Sequence, residues 1–410
     1  RPPECEAFEE GRAGKMLRGG HHAEAEIAGK TEGRQEEDEA DRARLDPSGG
    51  IPGLPEYREG RGGLGIGLSC YLHIPFCRSK CRYCAFYSRA ARGEEIEFFL
   101  EALKWELETW DKRLQGKPQI DTLYIGGGTP TCLSPGQWER LRGVLEEGLS
   151  FTKDIEVSVE ANPESLEKGH LRQWRDWGVR RVSLGIQSFS DPLLRWLGRI
   201  HDGRQANTAL RACREWGFRV SGELIFGIPG QEIRDWHKDL HLLASLAGHV
   251  SIYQLTAEPG TALEGEALPT QGAGYPFYRF SQWYLGSKGF TQYEVASFAQ
   301  KGQWCLHNLA YWKQANVLGL GPGAWGYLDG VRYSNAADIE AYMAKEPQCL
   351  FSWTERLSAE ERAREAAILA LRTCWGIRWS LFRRKFGLEA TRVIHDTLES
   401  LPSSLFIRKR

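Results

Sequence analysis

No run of about twenty apolar residues occurs in the 410-residue chain, so no segment is long enough to cross a bilayer as a helix. Charge of one sign is not in excess. The 53 lysines and arginines stand against 54 aspartates and glutamates, which removes the bulk field that draws a protein to nucleic acid or an anionic membrane. No secretory signal is legible, and without one there is no reason to expect an oxidising compartment. Seven of the cysteines (Cys5, Cys70, Cys132, Cys213, Cys305, Cys349 and Cys374) show no paired spacing and are expected as reduced cytosolic thiols. Methionine is scarce, two residues against fifteen tryptophans, and many of the tryptophans fall at helical spacing, where packing is the plain reading. A cytoplasmic globular protein without nucleic-acid partners is expected, with peripheral membrane contact left open.

Residues 1–66 carry only Phe8 and Tyr57 as aromatics and are crowded with Glu, Arg, Gly and Ala, so they read as a disordered leader that can bury little apolar area. The chain opens on Arg1, so this leader is read as genuine sequence of a fragment or as a reading frame extended upstream. From Leu68 strands and helices alternate. Ile96, Phe99, Leu100, Leu103, Leu107, Trp110 and Leu114 recur at helical spacing. Thr122–Ile125 reads as a strand, and Ser134 with Pro135 reads as a helix N-cap and first helical position. Strands are expected over 155–160, 181–187, 220–226 and 250–255, and helices over 164–177, 192–197, 204–216 and 232–246. About six βα units in series predict a parallel sheet wound as a partial or complete barrel. Beyond Thr261 the rhythm changes: a helix is expected over 275–285, a strand over 293–297 and a glycine-rich turn over 318–325. Helices run from Leu357 onward, the last two of them short.

The chemistry begins on the stretch Tyr71-Leu-His-Ile-Pro-Phe-Cys77-Arg-Ser-Lys-Cys81-Arg-Tyr-Cys84-Ala-Phe86. Three cysteines at Cys-x3-Cys-x2-Cys spacing on one loop suit an iron–sulfur cluster or a zinc ion. Three ligands rather than four would leave one iron of a cubane open, a place for chemistry. Other polar groups follow nearly every strand: Gly126–Thr129, Glu160 with Asn162, Gln187 with Ser188, and Glu223 inside a strand. In a barrel these positions gather at the carboxyl-end mouth, where they would meet a cofactor. Taken singly, the glycines also suit an ordinary turn, and Glu160 a solvated strand end.

Tyr71–Phe86 together with Gly126–Pro130 resembles the radical SAM superfamily. Tyr71-x-His-Ile-Pro-Phe-Cys77, Glu160-Ala-Asn-Pro163, Ser183-Leu-Gly-Ile-Gln-Ser-Phe189, Leu197-Gly-Arg199-x-His201 and Tyr253-Gln-Leu-Thr256 are similar to one branch of it. That branch contains the oxygen-independent coproporphyrinogen III dehydrogenase HemN and the heme chaperone HemW. The resemblance runs from about Leu68 to about Trp379. It implies an α/β fold, a partial (β/α)6 TIM-type barrel with a smaller, truncated, α-rich C-terminal domain. The implied divisions are the leader over 1–66, a radical SAM core over 67–300 and an incomplete C-terminal region over 301–410. It further implies a [4Fe–4S] cluster on Cys77, Cys81 and Cys84, whose open iron is chelated by S-adenosylmethionine (SAM). One electron then cleaves SAM to a 5′-deoxyadenosyl radical.

Tyr71, Gly127, Gly128, Thr129, Glu160, Gln187, Arg199 and Glu223 would line the SAM site. Glu223 stands where the motif usually carries a shorter aspartate. The dehydrogenase carries a fourth cysteine two residues after the third, and Phe86 occupies that place here. His307-Asn308-x-x-Tyr311-Trp312 is similar to the chaperone's signature, proposed there for heme binding, and no match to the dehydrogenase's substrate-binding extension is recognisable in 1–66. A heme chaperone is therefore expected, with the porphyrinogen decarboxylating enzyme as the alternative. His307 is either a heme contact or a histidine hydrogen-bonded in the domain junction. The expected partners are heme, recipient hemoproteins such as respiratory enzymes, and a low-potential electron donor.

Overall fold

The computed structural model describes residues 67–90 and 93–402, and the leader expected over 1–66 lies outside them. The chain enters β1 (Leu68–Ile74), then the cysteine loop, whose short strands β2 (Phe76–Cys77) and β3 (Arg89–Ala90) pair with each other in parallel. Next come α1 (Gly93–Leu114), β4 (Gln119–Gly127), α2 (Pro135–Gly148), β5 (Ser150–Ala161), α3 (Lys168–Trp177) and β6 (Arg181–Gln187). The series continues with α4 (Asp191–Trp196), α5 (Gly203–Glu215), β7 (Arg219–Phe226), α6 (Ile233–Leu246) and β8 (His249–Gln254). Strands β1, β4, β5, β6, β7 and β8 are parallel neighbours in that order. Each crossover helix thus returns the chain one position along, which builds the partial barrel read from the alternation.

Local chemistry explains the elements. Ser134 and Gln137 close a capping box at the start of α2, with Pro135 in the first turn. The predicted face of α1 is buried from Ile96 to Trp110 against the sheet. Period-two alternation splits each strand between two environments. On β1, Leu68, Cys70, Leu72 and Ile74 join the helix-facing core, while Tyr71 turns inward to pack beside Tyr124 and Val317.

After β8 come α7 (Tyr275–Ser287), β9 (Thr291–Gln292), β10 (Ser297–Ala299), α8 (Leu306–Trp312), β11 (Asn316–Leu320), β12 (Trp325–Leu328) and β13 (Val331–Ser334). Then follow α9 (Ile339–Met343), β14 (Trp353–Arg356), α10 (Ala359–Leu371) and α11 (Trp379–Glu399). Three expectations need correction here. The strand expected over 293–297 is a reversal preceding β10: Tyr293 N–H donates to Ser297 O within the turn and Val295 N–H to the distant Arg372 O, so neither group joins the ladder of the barrel sheet. The stretch read as a glycine-rich turn is half strand, because β11 lies parallel to β1. Gly319 is required there by crowding, since a Cβ would sit 2.1 Å from Trp325 O. Finally, the C-terminal region expected as α-rich is mainly strand over 316–356, with only the short α9 between β13 and β14: β11 to β14 extend the barrel sheet on the β1 side, while β10 and β9 extend it on the other. The helical part is α10 and α11, and α11 bends at Gly387 (φ 85°) into the two short helices expected.

Glu106 ties these added strands to the barrel. Its Oε2 accepts from Gly321 N–H (2.8 Å) and Tyr342 O–H (2.6 Å), and its Oε1 from Asn335 Nδ2 (2.7 Å), all buried. Burial pushes this carboxyl up from 4.5 to about 7, against the pull of its three donors. The folded chain therefore holds a proton that the unfolded chain releases near 4.5, so this group's contribution to stability falls as pH rises from there through about 7. Glu106→Ala strands three buried hydrogen-bonding groups and is expected to cost roughly 3 kcal/mol. Denaturant midpoints measured across that pH window should fall in the variant and lose part of their pH dependence.

Candidate functional site

At the carboxyl ends of the parallel strands a cavity is lined by Cys77, Cys81 and Cys84 on one side and by Gly127, Gly128, Thr129, Glu160, Gln187, Arg199 and Glu223 on the other. All three cysteines and seven of the eight residues expected around SAM are brought together here. Tyr71 is the exception. Strand alternation points it into the barrel, where it is buried, its O–H lies 3.2 Å from His73 Nδ1 and its ring stacks on Tyr124. Phe86 lines the mouth at the place of a fourth cysteine.

The three thiols share one opening, yet among the described residues no three His, Cys, Asp or Glu groups converge as a single ion would need. A polynuclear cluster takes one thiolate on each iron that the chain anchors. Two neighbouring groups reach the sulfurs. Arg199 Nη1 donates to Cys81 Sγ (3.3 Å) and Thr129 Oγ1 to Cys77 Sγ (3.4 Å). Asn162 joins the two donors: Oδ1 accepts from Arg199 Nη2 (2.8 Å) while Nδ2 donates to Thr129 Oγ1 (3.0 Å). Hydrogen bonds to cluster sulfurs are a lever on reduction potential.

Behind Arg199 lies a buried group that motif reading did not resolve. His201 Nε2 donates to Ile186 O (3.1 Å), and its Nδ1 lies 3.3 Å from Glu164 Oε2. Burial works to raise the Glu164 carboxyl, but the His201 hydrogen bond and the Arg199 guanidinium outweigh it and hold it below the ordinary value.

The glycine run binds its own chain as well as framing the cavity. Gly128 N–H donates to Ile74 O (2.7 Å) and Thr129 N–H to Phe76 O (2.6 Å), which fastens the end of β4 to the cysteine loop. Gly127 N–H donates to Glu160 Oε2 (3.1 Å).

Gln187 departs from ordinary backbone, with φ 65° at the end of β6, where the pairing with β7 shifts register. A non-glycine residue there costs on the order of 1–3 kcal/mol. Its side chain is turned into the cavity, and Oε1 is buried with no hydrogen-bond partner among the described residues. Such an acceptor awaits a donor, as the amino group of a zwitterionic ligand would be. Glu160 and Glu223 add carboxylates, the latter held by Ser183 Oγ (2.8 Å). Asn162, Ser183, Tyr83 and Tyr253 also line the mouth. Asn162, Ser183 and Tyr253 lay inside quoted motifs, and Tyr83 inside the cysteine loop, but none was singled out as a site residue.

His307 is placed elsewhere. It belongs to the floor of the barrel, at the opposite end from the mouth, 1% exposed, with Nδ1 2.9 Å from Thr122 Oγ1 and its ring stacked on Tyr124. Of the two readings of His307, this burial and hydrogen bond favour a histidine packed where the barrel floor meets α8. Floor and α8 are clamped together by Glu156 and Arg181. Glu156 Oε1 accepts from Leu306 N–H (2.8 Å), and Arg181 Nη2 donates to Gln303 O (3.0 Å) and Trp304 O (2.8 Å).

Residues 71–243 match the Radical SAM superfamily, and residues 357–404 match the HemN C-terminal domain. The heme chaperone HemW of Bacillus subtilis (strain 168) is 33% identical over 344 residues, which span 81% of this chain and 90% of that protein. HemW of Escherichia coli (strain K12) is 36% identical over 264 residues, 63% of this chain and 70% of that one. Among solved structures, the coproporphyrinogen III oxidase HemN from Escherichia coli, described as a radical SAM enzyme, overlays with a TM-score of 0.72. It covers 82% of each chain at 23% identity, a likeness of fold.

Proposed function

The chain belongs to the radical SAM superfamily, in the family of the heme chaperone HemW, and on that premise we propose that it binds heme as cargo and delivers it to hemoproteins. In this reading an iron–sulfur cluster, of the [4Fe–4S] type, is held by Cys77, Cys81 and Cys84. When bound, the cluster would supply single electrons at low potential to SAM. The chain's own residues account for the rest of the site. Gln187 Oε1 and the Glu160 carboxylate would accept from the SAM amino group. Thr129 and Arg199 would donate to the sulfurs of Cys77 and Cys81 and so favour the reduced cluster. Glu223 would reach a ribose hydroxyl.

The observation that carries the chaperone reading is the 33% identity to the Bacillus subtilis chaperone across 90% of its length. Phe86 at the mouth supports it over the decarboxylating enzyme, which carries a fourth cysteine at that place. The partners required are recipient hemoproteins, respiratory enzymes among them, and a low-potential electron donor. No disulfide joins the described cysteines, which suits a reducing compartment such as the cytoplasm, and no described helix is long and apolar enough to cross a membrane.

The test is anaerobic reconstitution followed by heme and SAM titrations on one sample. A saturable change in the heme Soret band and saturable SAM binding are expected. Absence of the Soret change would remove the chaperone. Protoporphyrinogen formed from coproporphyrinogen III at enzymatic rates would replace it with the enzyme.

A further inference from the structure

A second cavity, about 360 Å³, lies against the barrel floor between α8, α10 and the start of α11. Helix α8 separates it from the barrel. His307 and Tyr311, one turn apart, pack toward the floor, while Leu309, Trp312 and Lys313 line the second cavity. Its base is dry, with Leu309, Trp312 and Phe382 buried. Rings form its walls: Trp304 and Trp375 meet edge to face at 5.2 Å, and Phe386 lies 4.8 Å from Phe382.

The polar lining is cationic. Lys313, Arg378 and Lys385 line the groove, and none of them makes an ion pair with a described residue. Glu365, whose charge reaches Lys385, is spent on Arg332 and Gln314. Lys385 Nζ donates only to neutral groups, Gln314 O (3.3 Å) and Gln314 Oε1 (3.2 Å). Although much of the Lys385 stem faces solvent, burial of its ammonium pushes it down to about 8, with Arg362 adding repulsion. Burial and then Arg378 likewise lower Lys313. Three cations beside an apolar slot, none of them ion-paired to a described residue, call for an anionic ligand with a large flat apolar body.

We propose that this groove is the cargo site, taking the ring of a dicarboxylate porphyrin against the aromatic walls and its carboxylates against Lys313, Arg378 and Lys385. The assignment rests on the heme-carrier reading and changes the ligand chemistry expected of it. No histidine, cysteine or methionine lines the groove, so the grip is apolar contact and charge rather than an axial bond to iron. Iron-free protoporphyrin IX should then bind about as well as heme.

The test uses the full chain with its cluster reconstituted. Hemin, hemin dimethyl ester and protoporphyrin IX are titrated into wild type, into Ala370→Trp, which fills the slot, and into the double variant Arg378→Glu with Lys385→Glu. Cluster absorption and SAM binding serve as controls that should not move. Both variants are expected to weaken hemin binding by at least roughly tenfold, and esterification should cost wild type a similar factor but the double variant little. Wild type that binds no hemin removes the carrier reading and this site with it. Wild type that binds hemin while both variants bind it undiminished keeps the carrier and overturns the groove. Undiminished binding in Ala370→Trp together with loss of self-association would make the groove an interface between copies of the chain, which also overturns it.

Discussion

Cys81→Ala is expected to abolish the visible absorption of the reconstituted cluster and, with it, reductive cleavage of SAM, while the barrel still folds. A cubane retained by two thiolates has lost one of its three anchors, and no further described sulfur lines the mouth, where Phe86 occupies the adjacent wall. Folding should survive because Arg199, the group that loses a partner, keeps Asn162 Oδ1 at 2.8 Å and Gly185 O at 2.9 Å. Cys213→Ala is the matched control, since Cys213 is buried under α5 in the helix-facing core and lies outside the mouth. Iron and acid-labile sulfide measured on both variants decide the matter. A full complement of iron in Cys81→Ala would show that the three cysteines are not the ligand set. Heme titration adds a second contrast, because cargo held in the groove behind α8 should remain bound when the cluster is gone.

The barrel was legible because its code is local. Each strand shows apolar runs or alternation, each helix a face of period 3.6, and the order of parallel strands follows from right-handed crossovers once six units are counted. The cysteine triad was equally plain, since its ligands sit within eight residues of one another. Beyond Thr261 the code is not local. Strand β11 is recognisable only through its pairing with β1, more than two hundred residues upstream, and Gly319 resembles turn chemistry because its reason, the carbonyl of Trp325, is invisible in sequence. His307 shows the same limit. A His-Asn-x-x-Tyr-Trp motif places six residues on a helix but does not say which face looks into the barrel. Here the histidine side became the floor, and the Leu309–Trp312 side became the wall of the groove. Gln187 was found through its motif, but its left-handed backbone and unmatched Oε1, the physical signs of a ligand site, emerge only from geometry.

Gly128→Ala is expected to be among the most damaging single substitutions in the chain, although it adds only one carbon. A Cβ at that position would lie 2.5 Å from Phe76 O, 2.7 Å from Ile74 O and 2.9 Å from Phe76 N. These are backbone atoms, so no rotamer change can relieve the contact; either the end of β4 or the cysteine loop must move. Both short bonds that fasten them, Gly128 N–H to Ile74 O and Thr129 N–H to Phe76 O, are in the path of that movement. Overpacking and the loss of one buried backbone hydrogen bond together suggest a cost of roughly 3 kcal/mol or more. The damage should also be specific, because Thr129 is the donor to Cys77 Sγ and Phe76 precedes the first ligand. Cluster loading is therefore expected to fall further than thermal stability alone would require. Gly136→Ala supplies the contrast. Gly136 lies in the first turn of α2 with nothing within 4 Å of a new Cβ, so alanine there should be neutral or stabilise by up to about 1 kcal/mol. Melting temperature and iron content measured on the two variants separate a glycine chosen for close backbone docking from one tolerated on a surface. Wild-type values for both quantities in Gly128→Ala would mean that the cysteine loop is not held by the end of β4.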